Sequence, residues 1–246
     1  MSYVIDTTAG TRNWTCPMGV YWVTVECIGG GGAGANMSTN GSGGGGGGGA
    51  YALKARIPVV PGTAYSYTVG AAGTDAASPA NGGNSTFGAG PLVQAQGGAS
   101  AARNSATAGA AGLAVNGIGD VNRDGGAANT GGSPSANNGG GGGGAAGRNG
   151  NGIAAAGNNG GGMGTTGTEP SLGGAGGNGA KNGSAVGSAG AANGGGGGGA
   201  TRNSTTNRAG GAGSNGVVIV SYQTEDFENY KAVEAGNGIS TGERIR

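Results

Sequence analysis

The sequence predicts an all-β protein, in which a small scaffold of paired β-strands carries inserted, packed polyglycine helices and little or no α-helix. Two observations predict this fold class. Sixty-eight of the 246 residues are glycine, and nearly all of them lie between two strand-like segments, residues 23–28 and 217–222. Glycine also costs about 1 kcal/mol per residue relative to alanine in an α-helix, so an α-helical interior is not expected.

The strands of the scaffold are predicted from hydrophobic alternation with a period of two. Over residues 22–28, Val23, Val25 and Cys27 share one face, and Trp22, Thr24 and Glu26 share the other. Turns are predicted at residues 17–19 and 61–62, where proline and glycine occur together. The remaining strands are predicted over residues 3–5, 13–16, 50–60, 64–69, 85–87, 92–95 and 217–222.

The glycine runs predict extended helices with three residues per turn. Seven glycines occupy residues 43–49, and runs of six occupy 139–144 and 194–199. Such a helix makes no internal hydrogen bonds, and six residues at a rise of about 3.1 Å span roughly 19 Å. Ordering a residue costs about 1–2 kcal/mol, whereas a net hydrogen bond returns about 0.5–1.5 kcal/mol. We therefore expect a cooperative lattice of laterally bonded helices, anchored by strands, with low-complexity disorder as the alternative.

The chain divides into a glycine-rich domain over residues 1–222 and a C-terminal tail over residues 223–246. The tail contains five acidic and three basic residues. Phe227, Tyr230 and Val233 follow near-helical spacing, which indicates a short helix that docks on an assembly partner. A solvated terminus is the alternative.

Catalysis and several binding classes are not expected from this composition. The chain has no histidine, which excludes Ser–His and Cys–His nucleophiles and histidine-bound metals. No acidic pair has the spacing of a catalytic dyad, so we predict neither an enzyme nor a cofactor. The net charge is +1 without a basic stripe, so no nucleic acid is expected. Membrane insertion is not expected either, because no apolar run approaches about 20 residues.

Two motifs are weak candidates for other chemistry. Asp120, Asn122 and Asp124, followed by Gly125, match the opening of a calcium loop, but Gly131 stands where the bidentate carboxylate is required. Cys16 and Cys27 are predicted as two buried thiols, with a disulfide across a hairpin as the alternative.

Polar side chains collect between the glycine runs, where loops on a rigid scaffold are typical recognition sites. The alternative is that these segments are solubilising turns. The candidate receptor-binding residues are Met37, Asn40, Arg103, Arg123, Arg148, Glu169, Arg202 and Arg208.

Several segments in series resemble the glycine-rich domain of bacteriophage tail-fibre proteins. The likeness covers about residues 10–222, and it is carried by residues 14–20 (WTCPMGV), 23–32 (VTVECIGGGG), 47–52 (GGGAYA), 60–70 (VPGTAYSYTVG), 85–88 (STFG) and 216–220 (GVVIV). The resemblance implies a β-sandwich with polyglycine helices and a virion protein assembled in the host cytoplasm. A secretory signal is not expected, because the N-terminus has neither a basic start nor an apolar stretch.

The function that this resemblance implies is a tail-fibre or tail-tip adhesin. Its loops would contact a host surface glycan or an outer-membrane protein, and its other partners would be virion proteins, with a homo-oligomer left open. The alternative is a structural virion component, a capsid decoration or fibre connector anchored by the C-terminal tail. A glycine-lattice ice binder is disfavoured by the scattered arginines.

Overall fold

The computed structural model describes residues 1–74, 79–132, 138–158, 173–181 and 183–224. Within these ranges the chain is nearly all β and contains no α-helix, which confirms the predicted fold class. One 3-10 turn covers Ala114–Asn116. The strands are β1 (Ser2–Asp6), β2 (Gly10–Thr15), β3 (Trp22–Ile28), β4 (Gly41–Ser42), β5 (Tyr51–Pro58), β6 (Ala64–Val69), β7 (Ser85–Phe87), β8 (Val93–Ala95), β9 (Val121–Arg123), β10 (Thr201–Arg202) and β11 (Val217–Tyr222).

Two antiparallel sheets form the scaffold. One has the order β1-β11-β3-β5-β9 and the other the order β2-β6-β7-β8, while β4 and β10 pair separately. Val23, Val25 and Cys27 of β3 are buried in the core between the sheets, as their alternation predicts. Trp14 of β2 packs there against Phe87 and Tyr222, with ring centroids 6.3 and 5.7 Å away. The scaffold is thus held by an apolar core that includes few large side chains.

The predicted proline–glycine turns are present and have the same form. The amide of Thr63 donates to the carbonyl of Val60, with Gly62 at φ 77°. The amide of Val20 donates to the carbonyl of Pro17, with Gly19 at φ 78°. A positive φ at the third residue is typical of a type II turn and strongly favours glycine there.

Seven strands continue directly into extended glycine-rich segments. Strands β3, β6, β8 and β9 run outward into the segments that begin at residues 29, 70, 96 and 124, and the segments that end at residues 50, 84 and 216 return into β5, β7 and β11. The glycine lattice is therefore a prolongation of both sheets. This arrangement supplies the anchoring by strands that an isolated glycine helix lacks.

The central segment of the lattice, residues 43–50, uses every backbone hydrogen-bonding group. All eight N–H groups donate and all eight carbonyls accept, at 2.7–3.1 Å. The N–H groups of residues 43, 46 and 49 donate to the segment 194–200, and the carbonyls of the same residues accept from the segment 140–146. The other positions bond in the same way to four more neighbours, the segments 29–35, 96–105, 109–112 and 126–129. A threefold period with six neighbours is the expected packing of helices with three residues per turn.

Close approach of these backbones requires glycine. A Cβ added at Gly46 or Gly47 would lie 2.3 or 2.0 Å from a neighbouring carbonyl oxygen, and Gly45, Gly48 and Gly49 meet carbonyls just as closely. The lateral contacts predicted from the sequence are thus confirmed for this part of the lattice.

The two cysteines are free and buried, which confirms the prediction of two thiols. The Cys16 thiol donates to the carbonyl of Val20 at 3.3 Å. Burial raises the pKa of Cys27, with the neighbouring Glu26 charge acting in the same direction. A buried thiol of this kind behaves as a small apolar side chain.

Asp6 joins the two sheets at the end of β1. Its carboxylate accepts hydrogen bonds from the Thr8 amide, from Arg12 Nη1 of β2 and from the Tyr67 hydroxyl of β6, at 2.8–2.9 Å. Burial acts to raise the pKa of Asp6, but these hydrogen bonds and the Arg12 charge together lower it below 3.8.

Stability should therefore fall in acid. Because the folded-state pKa is lowered, the contribution of Asp6 is complete above the unfolded pKa, about 3.9, and is lost as the pH falls through the folded value. We expect Asp6→Asn to reduce the difference in free energy of unfolding between neutral and strongly acidic pH, measured by urea denaturation. Tyr67→Phe should reduce it in part. An unchanged difference in Asp6→Asn would contradict this assignment.

Candidate functional site

The glycine lattice has one end at the scaffold and one end distal to it. The amide of Gly29, directly after β3, donates to the carbonyl of Ala50, directly before β5, whereas six residues later the amide of Ala35 donates to the carbonyl of Gly44. Six residues of extended helix place the second pair about 19 Å from the first. Loops that gather at this far end form what we call the distal loop cluster, residues 36–42, 102–105, 183–185 and 201–208.

Backbone pairing holds the distal loop cluster together. Met37 and Arg208 exchange two hydrogen bonds, at 2.8 and 2.9 Å. Strand β4 pairs with β10 beside them, and Ala185 bridges to Thr201. Met37 itself is buried against Ala35 and other alanines of the lattice. Met37 therefore anchors the loops from the interior and is not exposed at the surface.

Asn104 positions the loop that follows Met37. It adopts the left-handed conformation, with φ 56°, which asparagine tolerates better than most residues. Its Oδ1 accepts from the backbone amides of Ser38 and Thr39 at 2.6 and 3.1 Å. The backbone amide of Asn104 donates to the carbonyl of Asn36 at 2.9 Å. Two loops distant in sequence are thus fixed relative to each other.

Arginines line the same cluster. Arg202 donates from Nη1 to the carbonyl of Ser38 and from Nε to the carbonyl of Thr206, the latter at 3.1 Å. The Nε of Arg208 is buried and has no hydrogen-bond partner among the described residues. Arg103 and Asn40 are exposed. The structure thus brings together five of the predicted site residues, four of them at the surface or partly exposed.

Arg123 and Arg148 lie at the opposite, scaffold end of the lattice. Arg148 forms an ion pair with Glu26 of β3, which is only 1% exposed. The hydroxyl of Tyr51 donates to the same carboxylate at 2.5 Å, and Arg123 Nε donates to the carbonyl of Arg148 at 3.2 Å. The hydrogen bond to Glu26 raises the pKa of Arg148. Burial raises the pKa of Tyr51, and the Glu26 charge adds to this. These two arginines fasten the lattice to the sheet.

The side chains of the weak calcium motif form hydrogen bonds with nearby backbone groups. Asp120 accepts from the amide of Ala55 at 2.9 Å, and Asp124 accepts from the amide of Ala114 at 2.6 Å. Asn122 lies between them in β9, where its side-chain amide donates to the carbonyl of Gly119 at 3.3 Å. Across the described ranges, no group of three or more acidic, cysteine or histidine residues is arranged to hold a metal ion.

Some predicted residues lie outside the described residues. They are Glu169 of the receptor-binding candidates and Phe227, Tyr230 and Val233 of the tail.

A sequence profile described as a glycine-rich domain matches residues 7–223. The chain belongs to this glycine-rich domain family. The match begins just after β1 and ends just after β11, so the glycine-rich domain comprises the lattice and every strand of the scaffold except β1. No curated protein matches the chain. In the part of the chain that the structure describes, no helix has the length and apolar character needed to cross a bilayer.

The glycine-rich domain therefore has two structurally different regions. Its interior is backbone packed on backbone, while its side-chain diversity at the far end is confined to loops held by specific contacts. Those loops carry exposed polar side chains, as at residues 203–207.

Proposed function

We propose that this chain is a receptor-binding protein of a phage tail fibre or tail tip that contacts the host cell surface through the distal loop cluster. The single observation that carries the proposal is the convergence of four separate loops at the end of the lattice farthest from the scaffold. The resemblance of residues 10–222 to tail-fibre domains supplies the biological setting. A host surface glycan or an outer-membrane protein would be the receptor, and other virion proteins would hold the scaffold end.

The construction of the cluster suits such a role. Its loops are pinned by Asn104, by the Met37–Arg208 pair and by β4 and β10, while residues 203–207 are exposed. Loops ordered before binding lose less conformational entropy on association. A rigid lattice with exposed polar loops therefore favours tight contact with a cell surface.

Replacement of residues 203–207 by a glycine–serine segment of equal length tests the proposal. We expect binding of the purified protein to cells of the host bacterium to fall at least tenfold, measured by flow cytometry with labelled protein. The matched control replaces residues 89–91, an exposed turn of the scaffold, and should bind as well as the wild type. Equal binding by both variants and by replacements in the other distal loops would refute the proposal.

One observation favours a structural virion component as the second candidate. The scaffold exposes Trp22 and Tyr21 beside a pocket of about 350 Å³, which Arg56 and Thr224 also line. An exposed apolar surface next to the start of the C-terminal tail is suited to assembly contacts. Electron microscopy of the particle separates the two, because an adhesin lies at a fibre end and a connector or decoration protein lies between other subunits.

A further inference from the structure

Charges are segregated along the lattice axis. Four cations lie at or beside the distal loop cluster: Arg103, Lys181, Arg202 and Arg208. The four acidic residues within the described ranges are all in the scaffold or next to its strands: Asp6, Glu26, Asp120 and Asp124. The sequences of the distal loops contain no acidic residue. The four loops of the distal loop cluster therefore carry positive charge and no negative charge, although the whole chain has a net charge of only +1.

No acidic side chain among the described residues forms an ion pair with these distal cations. The ion pairs among the described residues are Arg12–Asp6 and Arg148–Glu26, both at the scaffold. Arg208 has a buried Nε without a hydrogen-bond partner among the described residues, and desolvating such a donor without a hydrogen bond is unfavourable. Arg202 uses Nη1 and Nε on carbonyls of the loops, which orients its guanidinium. A fixed guanidinium pairs well with a carboxylate or a phosphate.

The surroundings of these cations indicate a sugar polymer. The aromatic side chains that the structure describes all lie in or beside the two sheets. The described part of the distal cluster therefore lacks the Trp and Tyr anchors that are enriched in protein–protein interfaces. The distal surface instead presents hydroxyl and amide groups, from Thr39, Asn40 and the segment 203–207. Such groups suit the hydroxyls of saccharides better than the apolar surface of a protein.

We propose that the distal loop cluster binds an acidic polysaccharide, whose carboxylate or phosphate groups pair with Arg103, Lys181, Arg202 and Arg208. The inference rests on the proposed function and specifies its receptor as charged glycan in place of outer-membrane protein. Repeated anions along a polymer match several cations that lie at or beside the same group of loops. Binding of this kind weakens steeply with ionic strength, because exposed charges are screened by salt.

Direct binding of labelled polysaccharides to the purified full chain tests the proposal. The probes are a polyuronate, a polysaccharide linked by phosphodiesters, and neutral dextran of similar length. We expect at least one acidic probe to bind and dextran not to bind, and we expect the affinity to fall at least tenfold between low and high salt. The polyuronate and phosphodiester arms identify which anion is recognised.

Two pairs of substitutions assign the site. Arg103 and Lys181 are exposed, so Arg103→Gln with Lys181→Gln should weaken binding to the acidic probe at least tenfold without disturbing the fold. Arg202→Gln with Arg208→Gln should weaken it further. Lys54→Gln with Arg56→Gln, in scaffold strand β5, is the matched control and should bind as the wild type does.

The outcomes distinguish this inference from the function on which it rests. Equal binding to dextran, or unchanged affinity in the Arg103 and Lys181 variant, overturns the acidic-polysaccharide proposal. If that variant still binds host cells while the 203–207 replacement does not, the adhesin proposal stands with a different receptor. If neither change, nor a replacement in any other distal loop, affects cell binding, both proposals fail.

Discussion

Gly47→Ala is expected to lower the free energy of unfolding by about 3 kcal/mol or more, the upper part of the range for overpacked interiors. The new Cβ would lie 2.0 Å from the carbonyl oxygen of Ala110 and 2.4 Å from its carbon. Both atoms belong to backbone, which cannot rotate away as a side chain does. Movement of the central segment would instead stretch hydrogen bonds to several neighbours at once, each worth about 1 kcal/mol.

The matched control for this substitution is Gly90→Ala. A Cβ at Gly90 meets no atom within 4 Å, and its backbone does not have a positive φ. We expect less than about 0.5 kcal/mol of change there, as for other surface substitutions. Urea denaturation followed by circular dichroism measures both variants. A loss below about 1 kcal/mol in Gly47→Ala would mean that the lattice adjusts more easily than its contacts indicate.

Arg148→Met is expected to destabilise the protein by about 3 kcal/mol, the lower part of the range for breaking a buried ion pair. The substitution leaves the Glu26 carboxylate buried. Among the described residues, the Tyr51 hydroxyl still donates a hydrogen bond to it. The lower part of the range applies because Arg148 is 40% exposed, so water already screens part of the interaction.

A second variant separates the charge from the shape of the side chain. Glu26→Gln combined with Arg148→Met removes both charges and keeps an acceptor for the Tyr51 hydroxyl. It should recover most of the lost stability in thermal and urea denaturation. Arg103→Met, at an exposed position, should have little effect. If the double variant is as unstable as Arg148→Met alone, the loss comes from packing and the buried-charge explanation is wrong.

The strands of the scaffold could be predicted from the sequence, because the polarity of each side chain indicates whether it faces the core or the solvent. Val23, Val25 and Cys27 alternate with more polar residues, and the strand that they predict is present with that face in the core. Glu26 was the exception. Alternation places it on the second face of β3, but that face is covered by the lattice, so the carboxylate is buried with Tyr51 and Arg148.

The order in which the glycine helices pack within the lattice could not be predicted from the sequence. A run such as residues 43–49 has no side chains to distinguish one position from another. Because the helix has three residues per turn, shifting it by three residues along its axis leaves every N–H and C=O pointing in the same direction as before. Buried small residues and strand ends fix the register, as where Ala145 and Ala146 pack on Ile28 and Tyr51. For the same reason the sequence could not show that Arg148 emerges at the scaffold end and Arg202 at the distal end.

The continuity between strands and glycine segments has a mechanical consequence. A pull on the far loops, directed along the axis, passes into several covalent chains that run side by side into both sheets. The lateral N–H···O hydrogen bonds of the central segment are then loaded in parallel as shear, so they cannot break one after another. A domain made mostly of the most flexible residue type should therefore resist extension as a stiff rod does.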